Sequence, residues 1–154
     1  IRGVDERHQF TLMCLDLSQI AIYARVDNAQ FRLLKSATPG SYTFILEGTR
    51  ELPRRVLHPK RKTIGLRVPD HPLIRAMLAE LGEPLLTSTL LLPGDEAPLA
   101  DAEDIRERLG RQLDLIVEAG PCGSGMTTVI NLVGGAPELI RAGRGLLAPF
   151  GLAD

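Results

Sequence analysis

With no tryptophan, two tyrosines and four phenylalanines, this 154-residue chain has little aromatic area. Its core must therefore be aliphatic, built from leucine, isoleucine and valine. Cysteine is as sparse: Cys14 and Cys122 lie far apart, with no secretory apolar segment. That usage argues against a disulfide scaffold and is expected of reduced thiols in the cytoplasm. No apolar run nears the ~20 residues that span a bilayer, so no membrane partner is expected. Net charge is almost absent, at -1, so overall charge gives no reason to expect a polyanion. His8, His58 and His71 show no ligand spacing with the cysteines, which leaves a metal site unsupported. No Gly-x-Ser-x-Gly elbow occurs, which leaves Ser-His-Asp chemistry unsupported as well.

What is present is ordinary for a globular protein: 44% hydrophobic and 24% charged residues. The length fits one domain over residues 1–154 with a continuous apolar core. Ile1 opens the chain, and Arg-Gly-Val-Asp-Glu-Arg-His follows without apolar pattern. The sequence is therefore expected to begin inside a longer one.

The run Phe10 to Leu15 reads as a short strand buried on both faces. Ser18 and Asp27 read as N-caps of helices over Gln19–Ala24 and Asn28–Ser36. After the turn Thr38-Pro39-Gly40, the run Tyr42–Leu46 predicts a strand, as does Thr63–Val68 before Pro69. Asp70-His71-Pro72 marks a helix start, Ile74, Met77, Leu78 and Leu81 give its apolar stripe, and Gly82 ends it. Leu85–Leu92 is strand-like. Asp101 caps an acidic helix with Ile105, Leu109 and Leu113 on one face. Further strands are expected over Asp114–Glu118, Thr127–Val133 and Glu138–Arg141. Helices and strands alternate irregularly, which predicts an α/β (α+β) fold: a twisted mixed sheet with flanking helices.

Three features carry possible chemistry. Arg50, Arg54, Arg55, Lys60, Arg61, Lys62 and Arg67 stand against the single acid Glu51 in one segment. Such a cluster can meet the phosphates of RNA or a nucleotide, or it can be a solvated hairpin that keeps an edge strand from aggregating. Gly120-Pro-Cys-Gly-Ser-Gly125 before Thr127 resembles a phosphate-cradling loop but is neither a Walker A loop nor a dinucleotide fingerprint. A plain strand connection reads equally well there, and Cys122 lacks a nearby His to activate it. Thr87-Ser88-Thr89 places three hydroxyls in an apolar run, where they must be bonded or face a ligand.

Taken in order, several segments resemble the YrdC/YciO family of threonylcarbamoyl-AMP synthases and their relatives. They are Thr38-Pro-Gly-Ser-Tyr-Thr-Phe-Ile-Leu46, Thr63-Ile-Gly-Leu-Arg-Val-Pro-Asp-His-Pro72 and Leu86-Thr-Ser-Thr-Leu-Leu-Leu-Pro-Gly94. Asp114-Leu-Ile-Val, Gly120-Pro-Cys, Thr127-Thr-Val129 and Arg141-Ala-Gly143 follow. The resemblance implies a twisted mixed sheet around a positively charged cavity. It implies as substrates ATP, with Mg2+, L-threonine and bicarbonate, no tightly bound cofactor, and threonylcarbamoyl-adenylate and pyrophosphate as products. The adenylate serves modification of adenosine-37 in tRNA. By position, the resemblance places Arg67, Ser88, Thr89 and Arg141 at nucleotide or phosphate groups and Thr127 at the threonine. It also implies double-stranded RNA or tRNA as a partner, for which Arg54, Arg55, Lys60, Arg61 and Lys62 are the candidates. It names no catalytic residue, no metal ligand and no oligomeric state.

The departures matter as much. The synthase pattern has Asn where this chain has Leu91 and Ser where it has Pro93; leucine neither donates nor accepts. Its Lys-x-Arg pair aligns with Arg2 and Val4, and a family His falls at Cys14. These changes resemble the YciO branch. Losing two or three polar contacts costs several kcal/mol of transition-state stabilisation, on the order of a thousandfold in rate. Three readings follow: a weakened synthase, a non-catalytic RNA- or nucleotide-binding paralogue, or a chain whose open sheet edge favours aggregation.

Overall fold

A computed structural model describes Gly3, residues 10–120 and residues 125–152. The chain divides into two compact units, one of residues 1–8 and 88–124, the other of residues 9–87 and 125–154.

The larger unit holds a six-stranded mixed sheet. In chain order its strands are β1 (Thr11–Met13), β2 (Tyr42–Glu47), β3 (Thr63–Arg67), β4 (Leu85–Thr87), β5 (Thr128–Asn131) and β6 (Glu138–Arg141). They lie side by side as β4-β1-β3-β2-β5-β6. The pairs β1/β3 and β2/β5 are parallel; β1/β4, β2/β3 and β5/β6 are antiparallel. The mixed sheet expected from the irregular alternation is thus present.

Because side chains alternate across a strand, each strand sends every second residue to one face. On the first face Leu12, Leu66, Ile64, Phe44, Leu46 and Ile130 are almost wholly buried. Helices α1 (Leu17–Tyr23) and α2 (Asn28–Ala37) contribute Ile20, Leu34 and Ala37 to that core, and Ala24, just after α1, joins them. The scarce aromatics are concentrated here: Phe44 lies 5.7 Å from Tyr42 and 5.9 Å from Phe150, between ring centroids. The rest of this core is aliphatic, as the composition requires.

Local chemistry explains where several boundaries differ from expectation. Helix α1 is capped by Asp16, whose carboxylate accepts from the Gln19 backbone N–H, so Ser18 falls inside the first turn. Asp27 caps α2 as expected, with Gln30 completing a reciprocal capping box. Helix α3 (Pro72–Leu81) starts on His71 with no side-chain cap, and Asp70 lies one residue too early to serve. Pro72 at its first position removes one of the N–H groups that would need a cap. Strand β4 spans three residues rather than the eight of the apolar run, because β1, its only ladder partner among the described strands, is three residues long.

In the smaller unit, helix α4 (Ala102–Leu109) is capped by Asp101, which accepts from the N–H groups of Glu103 and Asp104. Arg108 holds Asp95 through two contacts of 2.9 and 3.0 Å, and Leu109 is buried. Residues 114–118 form no strand: Leu115 is 76% exposed, and among the described residues no ladder partner reaches them.

Candidate functional site

The second face of the sheet has a different chemistry from the first. Its residues include Thr11, Thr43, Thr63, Gly65, Arg67, Thr87 and Arg141, so hydroxyls and guanidinium groups stand where a core face carries leucine. Strand register brings three of them together. Met13 pairs with Arg67, Thr43 with Val129, and Val129 with Arg141. Continuing the β2/β3 register by one residue sets Thr43 beside Arg67. One row across four strands therefore reads Arg67, Thr43, Val129, Arg141.

Hydrogen bonds tie this row to the segment leading into β5. The hydroxyls of Thr43 and Thr127 lie 2.9 Å apart. Arg141 donates from Nη2 to the Thr127 carbonyl oxygen at 2.9 Å and approaches its hydroxyl at 3.4 Å. The Nε of Arg141 is buried without a hydrogen-bond partner. A buried N–H left unmet is costly, so that group has a free donor to offer a bound acceptor. The glycine of Arg141-Ala-Gly143 is required by space: a Cβ there would lie 2.4 Å from the Met126 carbonyl oxygen and 2.5 Å from the Thr127 carbonyl carbon. Its N–H donates to the Thr128 hydroxyl, which itself donates to the Gly145 carbonyl.

Arg67 is half-buried, and desolvation, with the nearby positive charge of Arg144, depresses its pKa from the ordinary arginine value. Arg144 is held close by its backbone N–H, which donates to the Met126 carbonyl, and its aliphatic stem passes over Gly125. Among the described residues, no carboxylate forms an ion pair with Arg67, Arg141 or Arg144. Three cations beside hydroxyl donors, with no ion-pair partner among the described residues, are arranged to receive an anion.

The remaining sequence candidates are not members of this row. Arg54, Arg55, Lys60, Arg61 and Lys62 are exposed on the β2–β3 connection, which enters β3 at Thr63, the end opposite Arg67. The basic segment is thus two features: an exposed loop, and Arg67 at the far end of a strand. Buried Leu52, and Leu57 against Gly48, fasten that loop, and the His58 Nδ1 accepts from the N–H groups of Lys60 and Arg61. Ser88 and Thr89 follow β4 as exposed residues of the smaller unit rather than continuing the strand. Thr87 donates to the Thr11 carbonyl at 2.9 Å, so its hydroxyl is spent within the sheet. Cys122 with its loop, and Arg2 and Val4, lie outside the described residues. Cys14 is fully buried, and burial, helped by Asp16, pushes its thiol up to about 12, which leaves no thiolate near neutral pH.

Thr43, Gly65 and Arg144 were not singled out from sequence. A glycine inside a β-rich run, Gly65, was the one local signal available, since it marks a close approach. No group of three or more His, Cys, Asp or Glu among the described residues could hold a metal ion. None of the described helices is long and apolar enough to cross a membrane.

Comparison with known proteins gives the family and agrees with the fold. The Sua5/YciO/YrdC family model, described as "Telomere recombination", matches residues 1–143. The uncharacterized protein YciO of Escherichia coli K12 is 52% identical over 150 residues, covering 97% of this chain and 73% of its own. The threonylcarbamoyl-AMP synthase of Bacillus subtilis is 32% identical over 112 residues, 72% of this chain and 32% of its own. Among solved structures, the E. coli YciO crystal structure superposes with a TM-score of 0.90 at 52% identity, over 97% of this chain and 73% of that one. P. abyssi Sua5 complexed with L-threonine gives 0.80 at 23% identity, over 92% and 42% respectively. With the ordered motifs, the mixed sheet and a family model that covers nearly the whole chain in agreement, this chain belongs to the Sua5/YciO/YrdC family.

Proposed function

We propose that the second face of the sheet binds L-threonine, as its carbamate, and the phosphates of ATP, and that the chain makes threonylcarbamoyl-adenylate more slowly than the synthases do. The observation that carries this reading is the row of Arg67, Thr43 and Arg141 with Arg144 beside it. Among the described residues its cations have no ion-pair partner, and Arg141 keeps an unmet buried donor. The required chemistry suits such a face. Threonine nitrogen takes up bicarbonate with loss of water to give a carbamate. A carbamate oxygen then attacks the α-phosphorus of ATP and pyrophosphate leaves. Both partners are anions, so guanidinium groups that screen their repulsion and align them supply the main catalytic term. Mg2+ enters with ATP as part of the substrate. The family's B. subtilis synthase and the threonine-bound Sua5 support this substrate class. Leu91 and Pro93, in place of Asn and Ser, support the reduced rate. A free, buried Cys14 fits a cytoplasmic setting for this chemistry.

Pyrophosphate release from ATP, followed with and without threonine and bicarbonate, tests the reading. Release that depends on both co-substrates is expected. Release at background level under all conditions would overturn the synthase reading.

A second reading, duplex RNA or tRNA bound by the β2–β3 loop, rests on one observation. Arg50, Arg54, Arg55, Lys60, Arg61 and Lys62 are exposed, and none forms an ion pair among the described residues. Phosphate contacts release counterions, so binding through this loop must weaken steeply with salt. Replacing Lys60, Arg61 and Lys62 together by glutamine is expected to reduce the log–log salt slope by about two to three. An unchanged slope removes the loop as the RNA-binding surface.

A further inference from the structure

We infer that Thr43 is a positioning residue for this site: its hydroxyl directs Thr127, and through Thr127 the Arg141 guanidinium, toward the bound anion. The inference rests on the anion-binding reading above and adds to it a residue that touches no substrate.

A Cβ built on Gly65 would lie 3.2 Å from the Thr43 Cγ2 methyl and 3.3 Å from the Thr11 hydroxyl, tighter than ordinary packing. The missing side chain therefore makes room for the Thr43 methyl. A β-branched residue is stiff about its first side-chain torsion, so seating the methyl against Gly65 also sets the direction of the hydroxyl. That direction is toward Thr127, at 2.9 Å. Thr43 is 8% exposed, so the bond is shielded from competing water.

Thr127 is the junction. Its carbonyl accepts from the Arg141 Nη2 at 2.9 Å, and its hydroxyl lies 3.4 Å from the same nitrogen. Either hydroxyl can donate in that bond; with Thr43 donating and Arg141 on a lone pair, the Thr127 hydroxyl keeps its own hydrogen for a ligand. An anion requires a donor, so this polarity is the useful one. Without Thr43 the Thr127 hydroxyl can turn to satisfy itself elsewhere, and the buried Arg141 Nε loses the neighbour that steadies its guanidinium.

Thr43→Val keeps the shape and removes the hydroxyl; Thr43→Ser keeps the hydroxyl and removes the methyl. Two readouts are taken on the full chain. The first is the NMR signal of the Arg141 Nε–H, which needs no ligand. It is expected to move in Thr43→Val and to return toward the wild-type position in Thr43→Ser. The second is L-threonine binding by calorimetry. Thr43→Val is expected to weaken it about tenfold, the worth of one well-aligned hydrogen bond, and Thr43→Ser to restore it to within about threefold.

An Arg141 signal unchanged in Thr43→Val overturns the inference whatever the ligand. Where wild type binds threonine, equally tight binding by Thr43→Val overturns it too. If wild type binds no threonine while the Arg141 signal moves and is rescued, the positioning role stands and the threonine reading falls. Should Thr43→Val fail to fold, Gly65→Ala takes its place. It keeps the hydroxyl but displaces the methyl, and must move the same Arg141 signal for the inference to stand.

Discussion

Gly143→Ala is expected to lower stability by about 2–4 kcal/mol and to abolish ligand binding in the molecules that still fold. The new Cβ would meet the Met126 carbonyl oxygen at 2.4 Å, the Thr127 carbonyl carbon at 2.5 Å and its oxygen at 2.7 Å. All three are backbone atoms, so no side chain can swing aside to relieve the overlap. Chain must move, and the chain on both sides is committed. Arg144 N–H donates to Met126, Arg141 donates to Thr127, and the Thr128 hydroxyl accepts from Gly143 itself. Shifting the strands apart by even a few tenths of an ångström lengthens several of these bonds at once. Each carries about 1 kcal/mol, which adds to the overpacking cost. Urea denaturation of the two proteins side by side measures the loss. A variant within about 0.5 kcal/mol of wild type would show that the junction of Gly143 with Met126 and Thr127 is not close-packed.

The same junction shows what can and cannot be read from a sequence. Strand β6 was legible to the residue, because Glu138–Arg141 stands between loop-forming glycines and a Gly-rich tail. Helix α2 was legible because its cap and reciprocal Gln30 are local, three residues apart. Helix α1 was misjudged by one cap because Asp16 and Ser18 are both good caps, and only the geometry at Gln19 decides between them. Residues 114–118 failed for a different reason. Their short apolar run Leu115-Ile116-Val117, with two β-branched residues, is that of a strand, but a strand needs a partner, and partnering is not a local property.

The site divides along the same line. Arg67, Thr127 and Arg141 were found through the order of short motifs along the chain. Thr43 was not, because its role exists only through a contact to Thr127, 84 residues away. Arg144 was missed because its meaning depends on Arg67 lying nearby, a consequence of pairing the four strands from β3 to β6. The basic segment misled in the opposite direction. Arg67 is close in sequence to Lys60–Lys62, yet strand β3 carries it to the other end of the sheet.

Arg67→Met is expected to cut affinity for anionic ligands roughly a hundredfold while leaving stability unchanged or raised. The two effects have one cause. Arg67 is half-buried beside Arg144, and both desolvation and that like charge oppose its protonated form, which is why its pKa is depressed. In the empty protein the charge is therefore a liability, and methionine of similar length fills the space without it. With an anion bound the sign reverses, since the same guanidinium then makes a charge-assisted bond worth about 1.5–3 kcal/mol, which is one to two decades of affinity. Adding inorganic phosphate should separate the two states. A ligand that binds only the folded protein raises its melting temperature by mass action, so wild type should gain stability with phosphate and Arg67→Met should not. Raising ionic strength with chloride to the same value controls for screening. If Arg67→Met melts well below wild type in the absence of phosphate, the arginine is a structural element and not a charge held in readiness. If both proteins respond equally to phosphate, the anion sits elsewhere, and the row of Arg67, Thr43 and Arg141 is not the site.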